Sequence, residues 1–166
     1  MLHTILTIIL VAPLIGSIIA GLFGRQVGRA GAHYSTIAGV AVSTVLAAYV
    51  FVEFVLNGHD AYNASLYTWM VSDGIKFEIG FMIDELSATM MLVVTFVSLM
   101  VHIYTIGYMD HDEDYDHHNP YYQRFFSYIS LFTFSMLSLV MANNFLQLFF
   151  GWEAVGLVSY LLIGFY

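Results

Sequence analysis

Cysteine is absent from the 166 residues, and only four residues are lysine or arginine. The first absence excludes disulfides and thiolate metal centres and says little about compartment. The second leaves no basic patch for a nucleic-acid backbone. Charge of either sign is scarce: Asp, Glu, Lys and Arg make up 10% of the chain, where a soluble domain carries about 25%. The net charge of −8 does not describe a general acidic surface, because five of the twelve acids sit in Asp110–Asp116. What is present is apolar: 60% of the residues are hydrophobic and 17% aromatic. This composition predicts an all-α polytopic membrane protein.

The spans follow from the uncharged runs. Leu2–Phe23 holds no Asp, Glu, Lys or Arg, and no basic residue precedes Arg25. A signal peptide would begin with a basic region and a shorter apolar core, so this run reads as a retained helix. Pro13 interrupts it, as transmembrane helices tolerate. Further on, Phe125–Tyr166 is a run of 42 residues with one charge, Glu153. As a single helix it would extend about 63 Å, twice the roughly 30 Å of a bilayer's hydrocarbon core. It must fold back once, and Asn143-Asn144 is the polar pair that invites the turn. Five transmembrane helices are expected at about 2–23, 34–56, 84–109, 122–142 and 145–166.

Basic residues in the short loops set the expected orientation. The first loop, 24–33, carries Arg25 and Arg29, and Arg124 borders the third; the second has Lys76 alone. Loops one and three lie on one side, which makes that side cytoplasmic and the N-terminus extracytoplasmic. Within the second loop, Ile75, Phe77, Ile79 and Phe81 alternate with Lys76, Glu78 and Gly80, the period of a strand. Leu66–Val71 is rich in aromatic and β-branched residues, and Asp73-Gly74 between the two segments is a hairpin turn signal. A short extracytoplasmic β-hairpin is therefore expected between helices 2 and 3.

Glu153 is the foremost candidate for chemistry. It falls near the middle of the last span, where a carboxylate costs at least about 2.5 kcal/mol to insert. Such an acid handles protons or ions, or it stays protonated as a hydrogen-bond donor between helices. Its helical face is shared by Leu146, Phe149, Gly156, Leu157, Tyr160 and Gly164. The glycines leave room for a neighbour or water, and Tyr160 is a candidate support for the carboxyl. In the third span, Asp84, Ser87, Thr95, Ser98, His102 and Thr105 follow helical steps, interrupted by Met91. This stripe is half of a proton path with His102 as relay, or it is hydroxyl glue between helices. Asp84 with Glu85 complements the helix dipole or serves proton entry or exit.

Asp110–His118 is dense in possible metal ligands but lacks the EF-hand positions and glycine, so a solvated acidic loop is expected and no metal. No Gly-rich phosphate loop, nucleophile motif, flavin or haem signature is present.

The last span, Gly151–Tyr166, reads G-W-E-A-V-G-L-V-S-Y-L-L-I-G-F-Y. It resembles the signature of the largest antiporter-like subunits of respiratory complex I, the subunit L family with its mitochondrial chain 5 counterparts. His102-Ile103-Tyr104 with Gly107-Tyr108-Met109 resembles that family's H-x-Y-x-x-x-Y-M. Arg124-Phe125-Phe126-Ser127-Tyr128 resembles its R-F-F-x-Y, Ile83–Ser87 its D-x-L-S, and Thr68-Trp69-Met70 falls in its outer hairpin. The resemblance implies a membrane-arm subunit that couples NADH-to-quinone electron transfer to proton translocation, with Glu153 as the family's essential carboxylate, paired with a lysine on a later helix. It implies a bacterial inner-membrane location and other membrane-arm subunits as partners, besides the lipid bilayer. NADH, FMN, iron–sulfur clusters and quinone are expected in those other subunits, with no cofactor in this chain.

The family's subunits are several times longer, and the stop at Tyr166 with no polar tail reads as a truncation. Asp112–Pro120 reads as an insertion. Related sodium/proton antiporters and membrane-bound hydrogenase subunits share the G-W-E carboxylate. Val155-Gly156-Leu157 followed by Ser159-Tyr160 favours complex I. A purely structural helix bundle is the reading of another class.

Overall fold

The computed structural model describes residues 1–109 and 121–166. The expectations for the acidic segment, its solvated loop and its insertion, lie outside the described residues. The chain forms α1 (Leu2–Leu22), α2 (Gly24–Phe51) ending in a π turn (Val52–Leu56), β1 (Tyr62–Ser72), β2 (Ile75–Ile83), α3 (Glu85–Tyr108), α4 (Tyr121–Val140) and α5 (Phe145–Ile163). Among the described residues, four helices are long and apolar enough to cross a membrane: α1, α2 with its π turn, α3 and α5.

α4 is not one of these four, and its sequence shows why. It opens with Tyr121-Tyr122-Gln123-Arg124 and carries Ser127, Ser130, Thr133, Ser135 and Ser138. It is also the central helix, packing against α1, α2, α3 and α5. Ser127, Ser130 and Thr133 serve the seams, while Ser135 and Ser138 donate back to α4 itself. Ser17 and Ser127 donate to each other's backbone carbonyls at 2.9 Å, and Ser130 Oγ donates to the Pro13 carbonyl at 2.8 Å. Small residues allow this closeness, as expected where lipid supplies no hydrophobic drive between helices. A Cβ added at Gly21 would lie 2.6 Å from Ser127 Oγ.

Pro13 has no N–H, so the Ile9 carbonyl loses its partner within α1. Ser43 Oγ on α2 donates to that carbonyl at 2.8 Å. A neighbouring helix thus satisfies the freed acceptor, which is how lipid-embedded helices accommodate proline. α1 and α2 lie close here: a Cβ on Gly39 would sit 2.6 Å from the Ala12 carbonyl oxygen.

α2 begins ten residues earlier than the expected loop 24–33 allows, with Phe23 alone between it and α1. The chain turns inside helical structure because Gly28 takes φ +72°, a value open to glycine at no steric cost. Arg29 lays its guanidinium 4.5 Å from the Tyr122 ring centroid and donates to the Met109 carbonyl at 3.3 Å. The arginine that suggested a loop thus caps the bundle end instead.

The hairpin forms as the turn signal suggested. Asp73 (φ +48°) and Gly74 (φ +84°) are both left-handed, and Ser72 pairs with Ile75. Two positive φ angles in a two-residue loop match the right-handed twist of the flanking strands. The face alternation is not clean, since Gly80 and Phe81 are both buried. The far end of β2 is clamped by the α4–α5 turn. Met82 N–H donates to the Met141 carbonyl at 3.1 Å, and Asn144 Nδ2 donates to the Glu78 carbonyl at 2.7 Å. Gly80 is needed there because a Cβ would meet the Asn143 side chain and the Ala64 carbonyl oxygen. One apolar cluster, with Leu6, Ile9, Phe81, Met91 and Met141, fills the hairpin end of the bundle. A second, around Tyr122, Phe126 and Phe165, fills the other.

Candidate functional site

Glu153 sits eight residues into α5, about 12 Å along its axis from Phe145. The start of that helix is firmly set. Asn144 is the N-cap, accepting from Gln147 N–H at 2.8 Å, and Gln147 Oε1 accepts from Gly80 N–H at 3.0 Å. Gly151 lets α5 close on α4, where an added Cβ would lie 2.9 Å from Leu139 Cα. Gly151 and Val158 are the buried residues of α5. The opposite face carries Glu153, Gly156, Leu157 and Tyr160, all exposed. Within these residues the carboxylate therefore faces away from the bundle. Tyr160 is two turns further along, about 10.5 Å, so it shares the face without reaching the carboxyl directly. It is 74% exposed.

His102 lies elsewhere. Its side chain is completely buried against α4, which stands between α3 and α5. Nδ1 is 2.7 Å from the Ser98 carbonyl and 3.3 Å from Ser98 Oγ. Ser98 Oγ in turn bonds Thr133 Oγ1 on α4. Thr95 and Thr105 are buried on the same face, and each donates back to its own helix, to Met91 and Val101. The polar stripe of α3 is broken between Ser87 and Thr95, where Ala88 and Met91 enter the apolar cluster.

Asp84 stands at the hairpin end of α3, far along the helix from His102. It is the N-cap, and its Oδ1 accepts from Ser87 N–H at 2.7 Å. That bond holds its carboxyl below the usual carboxylate range. The structure thus keeps Glu153, His102 and Asp84 apart, on three different surfaces.

A further polar pair was not singled out by sequence: His33 Nδ1 shares a 2.9 Å hydrogen bond with Tyr122 OH. Both residues sit at positions that look like helix ends, and nothing in their spacing announces a meeting across 89 residues. Among the described residues no group of three or more His, Cys, Asp or Glu is placed to hold a metal ion.

A bundle of long apolar helices, joined inside by hydroxyls and carrying a mid-helix carboxylate on its outer face, is the arrangement of a multi-pass membrane protein. The comparisons agree. Residues 69–126 match the family model of NADH-Ubiquinone oxidoreductase (complex I), chain 5 N-terminus. NADH-quinone oxidoreductase subunit L of Neisseria meningitidis serogroup B is 63% identical over 163 residues, 98% of this chain and 23% of that protein. Subunit L of Rhodobacter capsulatus is 45% identical over 96% of this chain and 22% of its own length. NADH-ubiquinone oxidoreductase chain 5 of Neurospora crassa is 46% identical over 95% and 21%. The chain belongs to the subunit L and chain 5 family, of which it spans the N-terminal region. It covers about a quarter of the length of the curated relatives it matches. The fold is also that of a chain in the membrane-bound sulfane sulfur reductase, an archaeal respiratory membrane complex. The two superpose with a TM-score of 0.70 at 20% identity, over 96% of this chain and 23% of that one.

Proposed function

We propose that these residues form the first five membrane-crossing helices of a proton-translocating membrane-arm subunit of a bacterial NADH:quinone oxidoreductase. α4, fourth in chain order, is the remaining span, admitted to the bilayer because its hydroxyls are hydrogen-bonded to neighbouring helices or to its own backbone. The hairpin lies on the extracytoplasmic side, with the N-terminus, and the chain is a multi-pass protein of the inner membrane. Other membrane-arm subunits are its partners. NADH, FMN, iron–sulfur clusters and quinone bind elsewhere in the complex.

The observation that carries this reading is Glu153. It is the one formal charge from Phe125 to the end of the chain, it stands at mid-helix, and it is exposed on the outer face of α5. A carboxylate turned toward lipid would be expensive, so that face meets protein or water in the assembled subunit. A group whose charge depends on what stands beside it can load a proton and release it. Electron transfer occurs in other subunits, and this chain contributes the proton step.

The test is Glu153→Gln in the assembled complex, read as NADH-driven proton uptake in vesicles and normalised to complex content. Gln keeps the shape and most of the hydrogen bonding, so assembly survives while proton uptake collapses. NADH oxidation falls with it, since a coupled machine stalls at a blocked proton step. Glu153→Asp retains part of the activity, the carboxyl being displaced by one methylene. Proton uptake at the parental rate in the Gln variant refutes the reading and leaves Glu153 a structural acid.

A further inference from the structure

One nitrogen of His102 finds no partner among the described residues. Nδ1 faces the Ser98 carbonyl at 2.7 Å. A carbonyl only accepts, so Nδ1 carries the proton and Nε2 of the neutral ring is an acceptor. Among the described residues Nε2 is buried without a hydrogen-bond partner. An empty acceptor in the interior costs about 1–3 kcal/mol, and a buried water is the usual remedy.

The ring beside it is Phe126. The His102 and Phe126 centroids are 6.2 Å apart. Phe126 is fully buried and also lies 6.1 Å from the ring of His33 on α2. Both imidazoles thus pack near the same phenyl ring, and among the described residues no ring contact joins them directly. On one side the polar groups continue through the His33 Nδ1 bond to Tyr122 OH. On the other they continue from His102 through Ser98 Oγ to Thr133 Oγ1. Among the described residues, the charged and titratable groups around these rings include Arg29, His33 and Tyr34 on α2, Tyr122 on α4 and His102 on α3.

We infer that His33 and His102 are the two ends of a hydratable line through the N-terminal bundle, that His102 Nε2 binds a buried water, and that the Phe126 ring is the gate between them. Five polar groups in sequence interrupted by a single ring form a wire with one break. Rotation of that ring admits water and connects the bundle end at Tyr122 with the interior at Thr133. Protons are the cargo this chemistry suits, since each member both accepts and donates. The role as a proton route rests on the proposed function. The line and its gate do not.

The experiment is deuterium exchange at the imidazole C2–H, read histidine by histidine by mass spectrometry in the assembled complex. His59, whose side chain is 63% exposed, is the open reference. In the parent, His102 exchanges far more slowly than His59. Opening the gate with Phe126→Leu speeds His102 by about ten-fold or more, the scale of a local opening made easier, while His59 is unchanged. Phe126→Met, closer in volume, provides the same reading if the leucine variant fails to assemble. Placing His33→Leu in either background slows His102 again by blocking the entrance. If neither Phe126 variant changes His102 exchange, Phe126 is not a gate and the inference fails. If His33→Leu leaves the accelerated rate intact, water arrives by another way and the line is wrong. Accelerated exchange with unaltered proton uptake supports the gated line and counts against the proton-transport role, so the two readings fail separately.

Discussion

α4 and α5 are consecutive, similar in length and joined by a four-residue turn, yet they wear their polar groups on opposite sides. α4 turns Ser127, Ser130, Thr133 and Ser135 inward, all buried. α5 turns Glu153, Trp152 and Tyr160 outward. In water the second arrangement would be ordinary and the first expensive. In lipid the order reverses: α4 is finished as it stands, its hydroxyls spent on carbonyls of α1 and of its own preceding turn, whereas α5 presents a face that needs something beyond these residues. Hydroxyls hold a membrane bundle together when a carbonyl waits for them, and a lone exposed carboxylate at mid-helix needs a partner that the bundle itself does not supply.

The comparison can be broken most sharply at Ser127. Ser127→Leu removes the bond that its hydroxyl donates to the Ser17 carbonyl and forces bulk against Gly21. We expect a loss of about 3 kcal/mol or more, read as a lowered unfolding midpoint in mixed micelles. On α5, Leu157→Ala changes a comparable volume on the outer face and should stay within about 0.5 kcal/mol in this chain. Equal losses would erase the distinction between the two helices.

A middle-sized effect is expected at Ser43. Ser43→Ala orphans the Ile9 carbonyl and should cost about 1–2 kcal/mol. Pro13→Ala restores an N–H for that carbonyl, so the same serine change should cost measurably less in that background. Additive losses in the double-variant cycle would show that Ser43 does not compensate for the proline.

The smallest effect concerns Asp84. Its carboxyl is held below the ordinary range by Ser87 N–H, so the folded state favours the charged form. The stabilisation is therefore present above the unfolded-state value near pH 4 and is lost as pH falls through the lower folded value. Asp84→Ala should cost about 1 kcal/mol at pH 7. Asp84→Asn keeps a cap and should flatten the acid limb of the unfolding midpoint. An unchanged acid limb would mean that other carboxyls set it.

Local chemistry made much of this legible. Asp73-Gly74 announced the hairpin, Asp84 with Ser87 the start of α3, and Asn143-Asn144 the fold-back of the long apolar run. Glu153 stood out because nothing else in its span is charged. What stayed hidden was long-range. Gly80 meets Gln147, His33 meets Tyr122 and Ser17 meets Ser127 only once the helices are placed, and each residue alone is unremarkable for its setting. Two arginines in 24–33 suggested a loop, because a positive φ at Gly28 and a tyrosine ring ninety-three residues on from Arg29 were invisible to local reading.

The clasp between β2 and the α4–α5 turn acts at a distance on Glu153. Gln147, held by the Gly80 N–H, is six residues before Glu153, which on a helix of 100° per residue is about 240° of azimuth and 9 Å of height. Pinning Gln147 under the hairpin therefore fixes the compass bearing of the carboxylate. A rotation of α5 about its own axis, enough to swing the acid toward a different neighbour, would have to tear the Gln147 and Asn144 bonds from the strand. The hairpin works as a torque stop, and the direction in which the chain presents this carboxylate is decided about two turns away, at the start of the helix.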